Sequence, residues 1–284
     1  MTAVLDARPA AEDRARDRDR DWDLVPGLGE LPGIDLDSLS QRAALMTRRD
    51  RKYLVDRDLL PDLVAGLHER AEVLQIDGRR QFGYESCYFD TPTLTSYTLA
   101  ARRRPRRFKV RTRSYLDSGG RWLEVKVRDG RGRTRKSRIA WPPGAGSAGL
   151  GEAGAAFVTE QLAGTVAQPG PVVAALAATL TTQYLRTTLY LPADRARVTL
   201  DDRMSAWDRR GGEVVATGLA IVETKGAGPS CAADRLLWSL GQRPIRVSKY
   251  ATSLAWLHPG LPATPWRPAL RRLTAADEPR GRQS

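Results

Sequence analysis

Phe108-Lys109-Val110-Arg111-Thr112-Arg113, then Asp117-Ser118-Gly119-Gly120, then Arg121-Trp122-Leu123-Glu124-Val125-Lys126-Val127-Arg128 is the stretch on which the fold turns. Successive side chains of a strand point to opposite faces, so both flanks read as strands and the Asp-Ser-Gly-Gly segment as the turn between them. Phe108 and Val110 fall on one face of the first strand, and Lys109, Arg111 and Arg113 on the other. In the second, Leu123, Val125 and Val127 alternate with Glu124, Lys126 and Arg128. A half-buried strand ordinarily carries mixed polar residues outside. Here the outer row is almost entirely cationic, and that asymmetry is the first pointer to chemistry.

Working outward, the same period recurs. Arg48 to Val55 reads as a strand with Asp50 and Lys52 on one face, and Tyr84 to Phe89 as another, closed by Asp90-Thr91-Pro92. Tyr97 to Ala101 leads into the basic pair of strands. Three more strands are expected at Gln183 to Leu191, Arg197 to Met204 and Gly218 to Lys225. The middle one sets Thr199, Asp201 and Arg203 against Val198, Leu200 and Asp202. Helices are expected from Asp58 to about Gln75, Glu152 to Leu162, Pro171 to Leu180 and Ser230 to Leu240, with a short one opening at Ser248-Lys249-Tyr250. Trp141 to Gly151 is rich in Pro and Gly and reads as a loop. Seven or eight strands with few helices between them predict an α+β fold, an antiparallel sheet closed into a barrel with helices outside. Residues 1–43, with the mixed-charge run Glu12 to Asp23, are expected to be disordered or linker-like. Residues 44–258 would form the domain, and residues 259–284 a flexible tail.

The 284-residue chain carries a formal net charge of +13, which calls for a polyanionic partner: nucleic acid, an anionic membrane surface or a phosphate-rich molecule. Its two cysteines, Cys87 and Cys231, make no disulfide framework. No apolar run reaches membrane-spanning length, and Thr2 to Asp23 is too charged for a signal peptide. The expected compartment is a reducing cytoplasm.

An acid-x-lysine pattern occurs three times in expected strands, as Asp50-Arg51-Lys52, Glu124-Val125-Lys126 and Glu223-Thr224-Lys225. One copy would be an ordinary solvated pair. Three copies beside Lys109, Arg111, Arg113, Arg138, Tyr184-Leu185-Arg186 and Arg203 describe a cation-lined face with a few carboxylates. Like charges about 6 Å apart repel by roughly 3 kcal/mol at an effective dielectric near 20. Such a face therefore expects a polyanion. Arg forks match phosphate oxygens, and carboxylates among phosphates suit Mg²⁺ or Mn²⁺. Nucleic-acid readers interleave stacking aromatics, which these rows lack apart from Tyr184. Arg102-Arg103-Arg104-Pro105-Arg106-Arg107 reads as an outer loop able to touch any polyanion. No Gly-x-x-x-x-Gly-Lys-Ser/Thr loop is present, which excludes a P-loop kinase. His68 and His258 read as structural or solvated residues.

These elements together resemble the VTC (vacuolar transporter chaperone) domain family of the triphosphate tunnel metalloenzyme, or CYTH-like, superfamily. They are the acid-x-lysine strands, Arg111-x-Arg113, Tyr184-x-Arg186, the later Glu223-x-Lys225, Ser248-Lys249-Tyr250 and Tyr88-Phe89-Asp90-Thr91-Pro92. The resemblance spans about Thr47 to Leu257. It implies a closed β-tunnel and an ATP-dependent polyphosphate polymerase that moves the ATP γ-phosphate to a growing chain and releases ADP. It implies catalytic roles for Lys52, Arg111, Arg113, Lys126, Arg186 and Lys249. Lys109, Arg138, Tyr184, Arg203, Lys225 and Ser248 would bind phosphate, and Glu223 and Glu124 would hold Mn²⁺ or Mg²⁺. Asp50 stands where the family usually has Glu. The resemblance further implies ATP and inorganic polyphosphate as ligands and no specific nucleic acid. A separate membrane protein would be the partner, bringing the chain to the inner face of a membrane. A tunnel-type triphosphatase, or a non-catalytic polyphosphate- or nucleic-acid-binding module, would carry the same residues.

Overall fold

The computed structural model describes residues 25–43, 49–142, 149–216 and 218–277. The run Glu12 to Asp23, residues 44–48, most of the Pro/Gly loop (143–148) and residues 278–284 lie outside the described residues. The strands are β1 (Gly33–Ile34), β2 (Arg49–Asp56), β3 (Glu72–Leu74), β4 (Phe82–Asp90), β5 (Arg107–Tyr115) and β6 (Arg121–Arg128), then β7 (Thr134–Ala140), β8 (Ala177–Leu191), β9 (Ala196–Asp208), β10 (Glu213–Ala216) and β11 (Leu219–Gly226). The helices are α1 (Leu36–Arg42), α2 (Leu60–Ala65), α3 (Thr95–Ala101), α4 (Gly151–Leu162), α5 (Pro169–Ala174), α6 (Ala232–Ser239), α7 (Lys249–Leu257) and α8 (Arg267–Asp277).

The fold is α+β. Eleven strands form one sheet whose main path runs β2-β11-β9-β8-β4-β5-β6-β7, antiparallel throughout. The expected closure does not occur, since the path ends at β2 and β7 with no ladder joining them among the described residues. The outer edge of β2 is already engaged: Ile245 N–H donates to Lys52 O at 2.7 Å, and the Arg272 guanidinium caps Leu54 O. An edge whose carbonyls are satisfied in this way has little left to offer a further strand. The sheet nevertheless curls, so that Lys126 on β6 lies within electrostatic reach of Asp50, Lys52 and Glu223 on β2 and β11.

Both faces are packed. On the convex side, Tyr53, Val55, Leu189, Val198 and Val222 lie under Leu28, Leu60, Leu63, Val64 and Leu237. Further along that side, Val110, Leu123 and Val125 lie under Val158 and Leu162 of α4. On the concave side, Leu54, Tyr184, Met204 and Ile221 meet Ala269 and Leu273 of α8. Tyr88, Leu180 and Ala206 meet Tyr250, Ala251 and Leu254 of α7. These last two helices fill part of the concavity and leave the cationic rows to line the rest.

Several expectations change. The helix from Asp58 to Gln75 is cut to α2: Pro61 sits in its first turn, and Gly66 caps it beneath Leu236, whose Cδ2 lies 2.6 Å from where a Cβ would be. Glu72–Leu74 then pairs with β8 instead. The helix from Pro171 to Leu180 ends at Ala174, because Ala177 and Ala178 are already paired to Asp90 and Phe89. Tyr97 to Ala101 is helical, its N-terminus held by Asp90, which accepts from Ser96 N and Tyr97 N at 2.8 and 2.9 Å. Of the segment expected to be linker, residues 25–43 are folded, with Leu28, Leu31, Ile34 and Leu39 buried. The expected flexible tail is folded to Asp277, with Trp266, Ala269 and Leu273 buried. β7 and β10 were not expected.

Candidate functional site

Strand parity and register set the site. On β5 and β6, Arg111 stands opposite Glu124 and Lys109 opposite Lys126. On β6 and β7, Glu124 stands opposite Arg138 and Lys126 opposite Lys136. Lys52 pairs with Glu223 and Asp50 with Lys225, and Arg186 pairs with Asp201. Lys249 is the first residue of α7, whose N-cap Ser248 accepts from Ala251 N at 3.3 Å and from Lys109 Nζ at 3.1 Å. Ser248 thereby ties the concave helix to the cationic row.

Beside the exposed Asp50, three less accessible carboxylates sit among these cations, and they are engaged unequally. Glu124 accepts from Arg111 Nε at 2.8 Å and Lys136 Nζ at 2.6 Å, one cation on each oxygen. Asp201 is held bidentately by Arg186 at 2.5 and 2.8 Å and is also bonded by Lys249. Glu223 meets Lys225 at 3.0 Å on Oε1, while its Oε2 lies 3.9 Å from Lys52. Burial opposes ionisation of both glutamates. Arg111, Arg113 and Lys136 nevertheless hold Glu124 down to about 2, and Lys52, Lys225 and Lys249 hold Glu223 at about 2. Asp201 is likewise driven well below the ordinary carboxylate range against its burial, by Arg186 and Lys249.

The cations carry the complementary strain. Burial, with repulsion from Arg111, Lys52 and Lys126, pulls Lys109 far below the usual lysine range. Burial and the nearby Arg186 and Arg197 bring Lys225 to about 8 despite Glu223. Tyr88, expected only as part of a motif, lies in the middle. Its hydroxyl is 3.2 Å from Arg111 Nη1, Lys109 Nζ is 5.5 Å from its ring, and Tyr250 stacks on it at 5.0 Å. Burial would raise its pKa, but Arg111, Lys109, Arg113 and Lys249 bring it below the ordinary phenol range. Tyr184 accepts from Arg113 Nη2 at 3.3 Å, and Lys249 Nζ lies 4.2 Å from its ring. Arg113 Nε and the hydroxyls of its row neighbours Ser86 and Thr182 are buried without a hydrogen-bond partner among the described residues, as is the Thr199 hydroxyl opposite Glu223.

Thus Lys52, Lys109, Arg111, Arg113, Lys126, Tyr184, Arg186, Lys225, Ser248 and Lys249 share the concave face with Glu124 and Glu223. Of the two remaining expected phosphate ligands, Arg138 shares the face of Glu124 at the open edge of the row, and Arg203 stands apart. Arg138 is exposed on β7 with its guanidinium 4.3 Å from the Trp122 ring. Arg203 sits where the β8–β9 register slips, at φ 51, with its guanidinium 4.0 Å from Asp202. This bulge breaks the parity that placed Arg203 beside Asp201. Sequence reading missed Lys136 and the partnership of Asp201. Asp201 shares parity with Thr199, but its partner follows only from the register.

Among the described residues no three His, Cys, Asp or Glu side chains form a ready metal cage. Glu124, with a cation on each oxygen, does not fit a metal ligand. Glu223 does, because an ion of the Mg²⁺ type takes one or two carboxylates and completes its shell with water and phosphate oxygens.

The VTC domain family matches residues 47–258. No curated protein is similar enough to match the chain. Among solved structures, the Hippeastrum adenylyl cyclase candidate HpAC1, described with a dominant triphosphatase activity, is 14% identical, with 74% of this chain and 96% of that one covered at a TM-score of 0.46. An adenylate cyclase candidate from Vibrio parahaemolyticus is 13% identical, covering 73% and 97% at 0.40. The PH1819 protein of Pyrococcus horikoshii is 13% identical, covering 72% and 94% at 0.39.

Proposed function

The chain belongs to the VTC domain family, and from that premise we propose that it is a phosphotransferase that extends inorganic polyphosphate with the γ-phosphate of ATP. The observation that carries this reading is the convergence of Lys52, Lys109, Arg111, Arg113, Lys126, Arg186 and Lys249 on one concave face, opposed there mainly by carboxylates already bound to cations. Such a face binds a run of phosphates and neutralises the charge that spreads over a transferring phosphoryl group. A terminal oxygen of the chain forms the new P–O bond while the bond from Pγ to the β,γ-bridging oxygen breaks. ADP leaves with that electron pair, and the chain grows by one phosphate. No nucleophilic side chain is needed.

Arg113 offers donors to non-bridging oxygens, Arg111, whose Nε and Nη2 are already on Glu124, adds its charge beside them, and Lys52, Lys126 and Lys249 supply point charges around them. The buried hydroxyls of Ser86 and Thr182 and the Nε of Arg113 offer further donors in the same row. Glu223 would hold a Mn²⁺ or Mg²⁺ ion, which supplies Lewis-acid polarisation of phosphate oxygens when bound. No described helix is long and apolar enough to cross a membrane. A separate membrane partner on the cytoplasmic side is consistent with the family reading.

The test is incubation with ATP and Mn²⁺. ADP together with acid-labile phosphate chains supports the proposal. Orthophosphate without chains would make the protein a tunnel-type triphosphatase, and no turnover beside tight polyphosphate binding would make it a binding module.

A further inference from the structure

The cationic row does not stop at the site. On β5, Arg113, Arg111, Lys109 and Arg107 occupy alternate positions, and a strand rises about 3.3 Å per residue, so the row runs about 20 Å. Opposite them on β6 stand Trp122, Glu124, Lys126 and Arg128. Moving toward Arg107, Glu124 is the last carboxylate on these two strands, with Asp50 and Glu223 reaching Lys126 from β2 and β11. The next two cross-strand pairs are Lys109 with Lys126 and Arg107 with Arg128, cation facing cation. Like charges directly opposite destabilise a ladder. Two such pairs in succession indicate a surface shaped for something anionic.

Beyond Arg107 the charge continues onto the exterior. Arg103, Arg104, Arg106 and Arg246 are exposed. Arg106 lies over the β6–β7 turn, with its Nε 3.4 Å from where a Gly130 Cβ would stand. Arg107 Nη1 donates to Arg104 O at 2.8 Å and Arg128 Nε to Gly132 O at 3.2 Å. Backbone carbonyls orient these two guanidinium groups without neutralising them. The carboxylate of the turn, Asp129, is held by Arg133 at 2.8 Å. Burial and the charges of Arg128 and Arg246 hold Arg107 below the ordinary arginine range, which places Arg246 against the same patch.

We propose that Arg103, Arg104, Arg106, Arg107, Arg128 and Arg246 form an outer track for a long linear polyphosphate, continuous with the concave site through Lys109 and Lys126. The inference rests on reading that site as phosphate-binding. A chain of phosphates is favoured over nucleic acid because residues 102–107 and 128–135 contain no aromatic on which a base could stack. It is favoured over a membrane because, among the described residues, the exposed large apolar side chains are Leu36 and Val215, which lie in other segments and leave the patch nothing to insert.

The experiment compares binding of tripolyphosphate and of chains about sixty phosphates long to the wild type and to a triple variant, Arg104→Gln/Arg106→Gln/Arg246→Gln. Each of these side chains is exposed, and none belongs to the concave site. The wild type should prefer long chains over tripolyphosphate per site. The variant should lose about tenfold in long-chain affinity, with a shallower salt dependence, while tripolyphosphate binding stays within about twofold. Equal losses for both ligands, or no loss for long chains, would overturn the track. Unchanged long-chain binding with lost binding to phosphatidylserine vesicles would overturn it in favour of a lipid surface. Long-chain binding that depends on these arginines without any tripolyphosphate binding would uphold the track and sink the reading of the concave site. Binding of neither ligand would sink both.

Discussion

Arg111 and Glu124 face each other across β5 and β6, with Arg111 Nη2 2.6 Å and Nε 2.8 Å from Glu124 Oε2, and Lys136 occupies the other oxygen. Glu124 is thus the counter-ion that offsets the buried charge of Arg111 and fixes its orientation. Glu124→Gln should cost about 3 kcal/mol, since breaking a buried pair leaves its partners uncompensated. The pKa of Glu124 is about 2 in the fold against an ordinary 4.5. Its contribution is therefore complete above the unfolded value and is lost as pH falls toward the folded one. Denaturant titrations should show wild type and variant differing at pH 7 and converging near pH 2.

Glu223 stands in a different balance, with Lys225 on one oxygen and Lys52 more distant from the other. Glu223→Gln should lower turnover at least about a hundredfold while tripolyphosphate binding holds or tightens, because a negative charge leaves the phosphate site. Weaker binding in step with lost activity would assign Glu223 to orienting lysines.

Asp201 gathers Arg186 and Lys249 from a strand and a helix. Asp201→Asn should lower the melting temperature of the free protein, and tripolyphosphate should restore more stability to the variant than to wild type, since the ligand then supplies the missing anion. Thermal shifts with and without tripolyphosphate decide it. Equal increments would mean that Arg186 and Lys249 do not meet the ligand.

Lys225 titrates near 8 and Lys109 is also held below the lysine range, both mainly by burial. In the free protein they lose protons as pH rises through these lowered values, whereas a bound polyanion returns their pKa values upward. Tripolyphosphate affinity should therefore fall between about pH 7 and 9, with net proton uptake on binding. Calorimetry at pH 8.5 in two buffers of unlike ionisation enthalpy reads that uptake directly. Equal apparent enthalpies would contradict it.

Much of this site can be read from parity alone. Alternation along Phe108–Arg113 and Trp122–Arg128 places the apolar residues in one core and the cations on the opposite face, and strand pairing preserves that division. What parity cannot supply is register. Asp201 becomes the partner of Arg186 only after the β8–β9 ladder forms, and the bulge there separates Arg203 from the row. β7 escapes because Thr134-Arg135-Lys136-Ser137-Arg138-Ile139-Ala140 is polar on both faces, as an edge strand can be. Lys136, the second counter-ion of Glu124, is hidden with it. The two- and three-residue strands β1 and β3 are too short to show any period.

The C-terminal segment escapes for another reason: Pro259, Pro262, Pro265 and Pro268 read as a loose tail, yet Pro265 and Pro268 stand in the first turns of helices, where a missing N–H costs nothing. α8 then buries Ala269 and Leu273 against Leu54, Tyr184 and Ile221, and Arg272 caps the Leu54 carbonyl and reaches Asp56 at 3.2 Å. Leu54 is two residues from Lys52, so this helix braces the strand that carries a site lysine. A chain ended after His258 would keep every proposed phosphate ligand but expose this apolar face. Each buried side chain of that size contributes roughly 1.5–3 kcal/mol, so the truncated protein should melt several degrees lower and bind tripolyphosphate more weakly. Restoring residues 259–277 with Arg272→Ala should recover most of the melting temperature but less of the affinity. Full recovery of both would leave the packing of α8 as its whole contribution, with no role for the bond to Leu54 in holding Lys52.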